Sequence, residues 1–247
     1  MKFQLIRQDT GCCTYLIGSD LSRQFLMVDP LMDVERLLES VANGKGEVVG
    51  VIDTHIHADH LSGAREIQRI TGCPVFMYES SQVKFPIKTL TEAHYEMAGL
   101  ELKVFHTPGH APEHICLLVN DAVLLTGDCL LVRDVGRTDL GRGDTDLLYD
   151  SLFNKLLALD DSIEILPAHV GRKHFVAGDT SSTMGIERRA NPALQVKSKS
   201  EFHEYMTKGW PPKPPHYELF VKVNSGEVDL NEAQELAKAN QGELYHD

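Results

Sequence analysis

An excess of positive charge is the first thing this sequence lacks. Its 247 residues carry 24 Lys and Arg against 36 Asp and Glu, a formal net charge of −12. That balance argues against nucleic acid or an anionic membrane as the main partner, since both select basic surfaces, although a local basic pocket for a small anion is compatible with it. No stretch approaches the roughly 18 consecutive apolar residues of a membrane span. Residues 1–9 lack the apolar run of a secretory signal, so a cytoplasmic protein is the expectation. A cysteine framework is missing too. Cys12, Cys13, Cys73, Cys116 and Cys129 are odd in number and without CxxC spacing, a poor disulfide scaffold and a poor zinc ribbon. Cys116 and Cys129 lie in apolar runs, where a free thiol acts as a small hydrophobe. Cys12 and Cys13 are harder to read, because neighbours on a strand point to opposite faces.

What is present is an ordinary globular balance, 42% hydrophobic and 24% charged. The length suits one large domain, or one domain with a modest C-terminal appendage. Short strands are predicted over 4–7, 14–17 and 25–28, punctuated by Gly18-Ser19-Asp20 and Asp29-Pro30. Apolar residues at 32, 34, 37, 38 and 41 predict an amphipathic helix. Residues 47–52 form an apolar run, a buried strand. A helix over 61–70 ends at Gly72, and strands follow over 74–78, 102–105, 115–119 and 122–126, the last two joined at Asn120-Asp121. A helix over 146–159 and a strand over 164–166 complete this part. After Ala190 the composition shifts, and Trp210-Pro211-Pro212-Lys213-Pro214-Pro215 is too proline-rich for helix or central strand. An extended strap followed by a polar helix over 230–240 is expected.

The densest chemistry lies in His55-Ile56-His57-Ala58-Asp59-His60, four potential ligands in six residues after a buried strand. Imidazole nitrogen and carboxylate oxygen are ligands for a transition metal, and a purely structural role does not account for so dense a cluster. His110 after Thr107-Pro108-Gly109, Asp128 after Gly127, and His169 after Pro167-Ala168 each stand where a strand should end. Loops behind buried strands are where a rigid scaffold carries its site.

This ordered set, His-x-His-x-Asp-His, Pro-Gly-His, Gly-Asp and Pro-Ala-His, resembles the metallo-β-lactamase superfamily over about residues 10–195. The resemblance implies an α/β fold, an αββα sandwich, with residues 1–195 as the catalytic domain and 196–247 as an extension packed on it. It also implies two possible metal positions: His55, His57 and His110 at the first, Asp59, His60 and His169 at the second, and Asp128 between them. Gly136-Arg137-Thr138-Asp139, and the run from Thr183 to Gln195, resemble the persulfide (sulfur) dioxygenases, in particular bacterial members often fused to rhodanese domains; no rhodanese domain fits within this length. That likeness implies one Fe(II) per chain on His55, His110 and Asp128, with glutathione persulfide and O2 as substrates and sulfite and glutathione as products. His57, Asp59, His60 and His169 would then orient ligands and water, and a dimer or tetramer is implied.

Two departures stand out. Val170-Gly171 replaces the Asp-Tyr that the mitochondrial-type enzymes carry after Pro-Ala-His, and His114 adds an imidazole that could be an extra hydrogen-bonding group but reads first as an ordinary strand-start residue. Arg137 could grip a glutathione carboxylate in a bidentate fork or pair locally with Asp139. Lys213 and Arg172 are weaker candidates, and His174, His203, His216 and His246 are expected to face solvent. The main rival is a binuclear zinc thioester hydrolase of the hydroxyacylglutathione hydrolase (glyoxalase II) type, with two Zn and a Zn-activated water. A β-lactamase fits poorly with a cytoplasmic location. A sensor acting through Cys12-Cys13 or Cys129 thiols would not need so complete a metal site.

Overall fold

The structure, a computed structural model, describes residues 2–7, 11–170, 180–229 and 231. The first sheet runs in the order β1 (Lys2–Arg7), β2 (Cys13–Gly18), β3 (Gln24–Val28), β4 (Glu47–Ile52), β5 (Val75–Tyr78), β6 (Lys88–Leu90). The antiparallel β1–β2–β3 meander gives way to parallel pairing from β3 onward. The β3–β4 and β4–β5 crossovers are made by α1 (Val34–Asn43) and α2 (Ala64–Thr71), and residues 79–87 join β5 to β6 without a helix.

The second sheet has β7 (His94–Met97), β8 (Leu100–His106), β9 (Ile115–Val119), β10 (Val123–Gly127), then, after the small hairpin β11 (Leu130–Leu131) and β12 (Asp134–Val135), β13 (Glu164–Pro167) and β14 (Ser182–Thr183). Asn120 and Asp121 both take positive φ, 49° and 50°, in the tight turn expected between β9 and β10. Strands β2, β9 and β10 are buried on both faces, which is why they read as continuous apolar runs rather than alternating ones.

Three apolar layers follow. Tyr15, Ile17, Val28 and Ile52 of the first sheet meet Leu102, Val104, Leu117 and Leu125 of the second. Leu16, Met27 and Val51, on the other face, carry Leu37, Val41 and Ile67 of α1 and α2. Leu118, Leu124 and Ile165 carry Leu148, Leu152 and Leu156 of the helix that starts as α3 (Thr145–Asp150) and continues through a wide π turn and a 3₁₀ turn to Ala158. This is the αββα sandwich: helices, two sheets back to back, helices. No helix among the described residues is long and apolar enough to cross a membrane.

The segment after Thr183 differs from expectation. Besides an irregular, proline-rich stretch over 210–214, it holds α4 (Met184–Ala190), α5 (Lys199–Met206) and α6 (Tyr217–Asn224). Each is about two turns long, too short for a clear 3.6-residue periodicity, and their stability comes from caps and docking. Thr183 and Ser198 side chains accept the Ile186 and Glu201 N–H groups, and Phe202 and Met206 enter the core under the second sheet. The helix expected over 230–240 lies outside the described residues, apart from residue 231. Strands β6, β7, β11, β12 and β14 were not foreseen, being two to four residues each. Helix α2 begins at Ala64 rather than 61, because Leu61–Gly63 is held elsewhere: Ser62 N–H by Asn224 and Gly63 N–H by Pro30 O.

Candidate metal centre

Loops leaving the C-terminal ends of β4, β8, β10 and β13 meet at one rim of the sandwich. The first brings His55, His57, Asp59 and His60, and the others bring His110, Asp128 and His169. One ligand atom each from His55, His110 and Asp128 lie within 4.8 Å of one another. Asp59, Asp128 and His169 form a second such group, and Cys12, Asp59 and His60 a third. His57 stands apart, grouped with Asp29 and Asp53, and donates from Nε2 to Asp29 Oδ1 at 3.2 Å.

The hydrogen bonds assign which nitrogen of each ring faces the site. Thr54 Oγ1 donates its one proton to the Asp29 carboxylate at 3.0 Å, so it accepts from His55 Nδ1–H, also at 3.0 Å. His110 Nδ1–H donates to the Arg137 carbonyl at 2.8 Å, and His60 Nδ1–H to Asp59 Oδ1 at 3.0 Å. His55 and His110 therefore turn an Nε2 lone pair inward, the tautomer a metal ligand needs. His60, whose pKa, against burial, Asp59 holds well above the ordinary imidazole value, turns its Nε2 inward and must release a proton there to bind a cation. Four buried side-chain polar atoms lack a hydrogen-bond partner among the described residues, and three of them are here: His55 Nε2, His60 Nε2 and Asp128 Oδ1. Orphaned buried polar atoms cost about 1–3 kcal/mol each. A cation held with His110 satisfies His55 Nε2 and Asp128 Oδ1, and the Cys12–Asp59–His60 group offers His60 Nε2 a cation of its own, so the residues present fit a metal.

Four supports were not legible in the sequence. Asp29, read as part of a turn, accepts the Thr54 N–H at 2.7 Å as well as the Thr54 hydroxyl and His57. Glu113 accepts the Ile56 N–H at 2.9 Å and is clamped by Arg142 Nη2 at 2.6 Å. Asn224, on α6, donates to the His57 and His60 carbonyls at 2.9 and 2.8 Å and accepts the Ser62 N–H at 2.9 Å. His114 corrects an expectation, since it is more than a strand-start residue. Fully buried, it stacks on His55 with ring centroids 5.1 Å apart, and its Nε2 accepts the Asp128 N–H at 3.0 Å. Its Nδ1–H donates to Thr107 Oγ1 at 2.9 Å. Gly127 takes φ +49°, and a Cβ there would meet His114 Nε2 at 2.5 Å and Thr54 Oγ1 at 2.7 Å, so the close approach admits only glycine.

Electrostatics separate the two halves of the site. Burial, with His57, His110 and His114 nearby, holds His55 well below the ordinary imidazole pKa; burial and His110 do the same to His114. Both rings are neutral, as an acceptor Nε2 requires. Across Asp128 the balance reverses. Burial works against ionisation of Asp59, yet the His60 charge and hydrogen bond hold its carboxyl well below the usual range. His169 rises to about 9 against burial, through Cys12 and Asp59. Burial lifts Asp53 to about 6 against the pull of His57.

The Arg137 guanidinium makes the local pair: Nε and Nη2 donate to Asp139 at 2.7 and 2.9 Å, and Nη1 and Nη2 reach the Pro212 and Pro211 carbonyls. It also lies over Trp210, 5.6 Å from the ring centroid. What it supplies to the site directly is its backbone carbonyl, on His110. Lys213 lies over Tyr217 at 5.4 Å. His203 pairs with Asp146 at 3.0 Å on the surface, and His216 is exposed at the start of α6. Arg172, His174 and His246 lie outside the described residues.

A sandwich of this order, with histidines and aspartates converging behind four strands and their lone pairs turned inward, defines a metal-dependent enzyme of the αββα class. The chain belongs to the metallo-beta-lactamase superfamily, whose family model matches residues 9–170, and within it to the branch of the ETHE1 persulfide dioxygenases. It is 31% identical to the mitochondrial persulfide dioxygenase ETHE1 of Bos taurus over 90% of this chain and 86% of that protein. The crystal structure of ETHE1 from Myxococcus xanthus superposes with a TM-score of 0.84 at 31% identity, covering 92% of this chain and all of that one. Hydroxyacylglutathione hydrolase GloC of Haemophilus influenzae is 28% identical over 72% of this chain and 91% of that protein.

Proposed function

We propose that this chain is a persulfide dioxygenase, which converts glutathione persulfide, O2 and water to glutathione, sulfite and two protons at a single Fe(II) held by His55, His110 and Asp128. The observation that carries the reading is the two-imidazole, one-carboxylate cluster, with His55 Nε2 and Asp128 Oδ1 buried and without a hydrogen-bond partner among the described residues, in a chain whose relatives include persulfide dioxygenases. Such a facial triad leaves positions open on ferrous iron, whose redox chemistry joins a sulfur anion to dioxygen, as zinc cannot.

The remaining groups act on those three ligands. Asp29, through Thr54, locks the His55 tautomer; the Arg137 carbonyl locks His110; His114 pins the backbone of Asp128. His57 ties its loop to Asp29. Asp59, His60 and His169 border the triad across Asp128 and set the charge beside it. For Arg137 to hold a glutathione carboxylate, its pairing with Asp139 must exchange.

The test is oxygen consumption and sulfite release on glutathione persulfide by iron-loaded protein, with His55→Ala and Asp128→Ala as controls that lose iron and turnover together. Full turnover in either variant removes the triad assignment. A second reading, a binuclear zinc thioester hydrolase, is favoured by the second donor group and by the likeness to GloC. Thioester hydrolysis by the two-zinc protein without oxygen uptake would establish it.

A further inference from the structure

Cys12 and Cys13 separate cleanly. Cys13 packs in the core between the sheets. Cys12, 4% exposed, forms an antiparallel bridge with His169, flanked by the Cys13 N–H to Ala168 O and Val170 N–H to Gly11 O bonds at 2.8 and 3.1 Å. Directly opposed residues on antiparallel strands project side chains to the same face, their Cβ atoms about 5 Å apart. The backbone therefore aims the Cys12 thiol where it aims the His169 ring. Its Sγ lies 3.6 Å from Asp59 Oδ2, and His169 Nε2 lies 3.6 Å from that same oxygen. On the other side stands His60, whose Nδ1 is engaged by Asp59; Cys12, Asp59 and His60 each offer a ligand atom within 4.8 Å of the others.

We propose that Cys12 is a metal ligand: its thiolate completes, with Asp59, His60 and His169, a four-donor position for a borderline-soft divalent cation such as Zn(II), beside the His55–His110–Asp128 position. One sulfur, two imidazoles and one carboxylate are the ligand types and the number that close a tetrahedral zinc site. The spacing agrees. A sulfur about 2.3 Å and an oxygen about 2.0 Å from one zinc at the tetrahedral angle are roughly 3.5 Å apart, against 3.6 Å here. A closed position has no room for substrate, so the sulfur donor leaves reaction to the triad and sorts two metals by ligand softness. The other four cysteines lie elsewhere: Cys13, Cys116 and Cys129 are within the apolar layers, and Cys73 sits beyond α2 in the layer under α1. The bland alternative for the 3.6 Å contact is a thiol donating to a carboxylate. The proposal goes beyond the dioxygenase reading and stands independently of it, because its test reads metal rather than turnover.

The full chain, stripped of metal, is titrated anaerobically with Co(II), and a separate zinc-loaded sample is measured by X-ray absorption. The expected result is uptake of two equivalents, with a near-ultraviolet thiolate-to-cobalt charge-transfer band of one thiolate per chain. Cys12→Ser should abolish that band and lower affinity for one equivalent at least tenfold, while the other equivalent still binds. Zinc absorption of the unmodified protein should show a sulfur neighbour at about 2.3 Å, a reading that needs no variant to fold. Two equivalents bound through nitrogen and oxygen alone, uptake of one equivalent only, or a band that survives in Cys12→Ser each overturn the proposal, and none of them bears on oxygen consumption by the iron-loaded enzyme.

Discussion

Replacing Asn224 by alanine removes the side chain through which α6 hydrogen-bonds the ligand loop, leaving the packing of Phe220 and Val223 on Leu61 in place. Three hydrogen bonds go at once: two donated to the His57 and His60 carbonyls and one accepted from the Ser62 N–H, all 2.8–2.9 Å. Asn224 is only 7% exposed, so water replaces these partners poorly. A buried backbone group left without a partner costs about 1–3 kcal/mol. Two of the three bonds are fully buried and the His60 one is at the margin, which puts the loss at about 3–5 kcal/mol. For a chain of this size that corresponds to roughly 10 °C in melting temperature, at about 2–4 °C per kcal/mol. Because the freed carbonyls lie at both ends of the His57–His60 segment, metal affinity should also fall, by roughly the 10–100-fold typical when a ligand's support is removed. Differential scanning calorimetry and a metal-competition titration read the two effects separately. If Asn224→Ala melts within about 1 °C of the parent and binds metal equally well, the helix does not hold the loop and this reasoning fails.

Thr54→Val keeps the shape but removes the hydroxyl between Asp29 and His55; first-metal affinity should drop about 10–100-fold, measured by competition, with secondary structure unchanged by circular dichroism. Gly127→Ala forces a Cβ onto His114 and Thr54 at a left-handed backbone position, and should cost about 1–3 kcal/mol of stability, seen in denaturant unfolding. Chelating all metal should lower the melting temperature by roughly 10 °C, since a cation held at about a thousand times its dissociation constant contributes about 4 kcal/mol; an unchanged melt would show that the loops hold their form without it.

Much of the site was legible because it is local. His55, His57, Asp59 and His60 follow one apolar strand, and β4 and β9 begin and end where their apolar runs do. His110, Asp128 and His169 were legible because each follows a strand end marked by Gly or Pro. What could not be read depends on distance along the chain. Asn224 is 162 residues from Ser62 and sits on a short helix with no pattern pointing at a loop. His114 looked ordinary because its role is to accept one backbone N–H, that of Asp128, and no side-chain motif encodes a backbone partner. The direction of the Cys12 thiol follows from its bridge to His169, a pairing between opposite ends of the domain. Arg137 was open between two roles, and the proximity of Asp139 and of the 211–212 carbonyls settled where its guanidinium rests.

The most direct test of the central claim is an oxygen-electrode measurement on iron-loaded protein supplied with glutathione persulfide, with sulfite quantified in the same vessel. The account predicts one O2 consumed per sulfite formed, and neither signal from the Asp128→Ala protein. Absence of oxygen uptake by protein shown to carry iron, together with thioester hydrolysis by its two-zinc form, would contradict it.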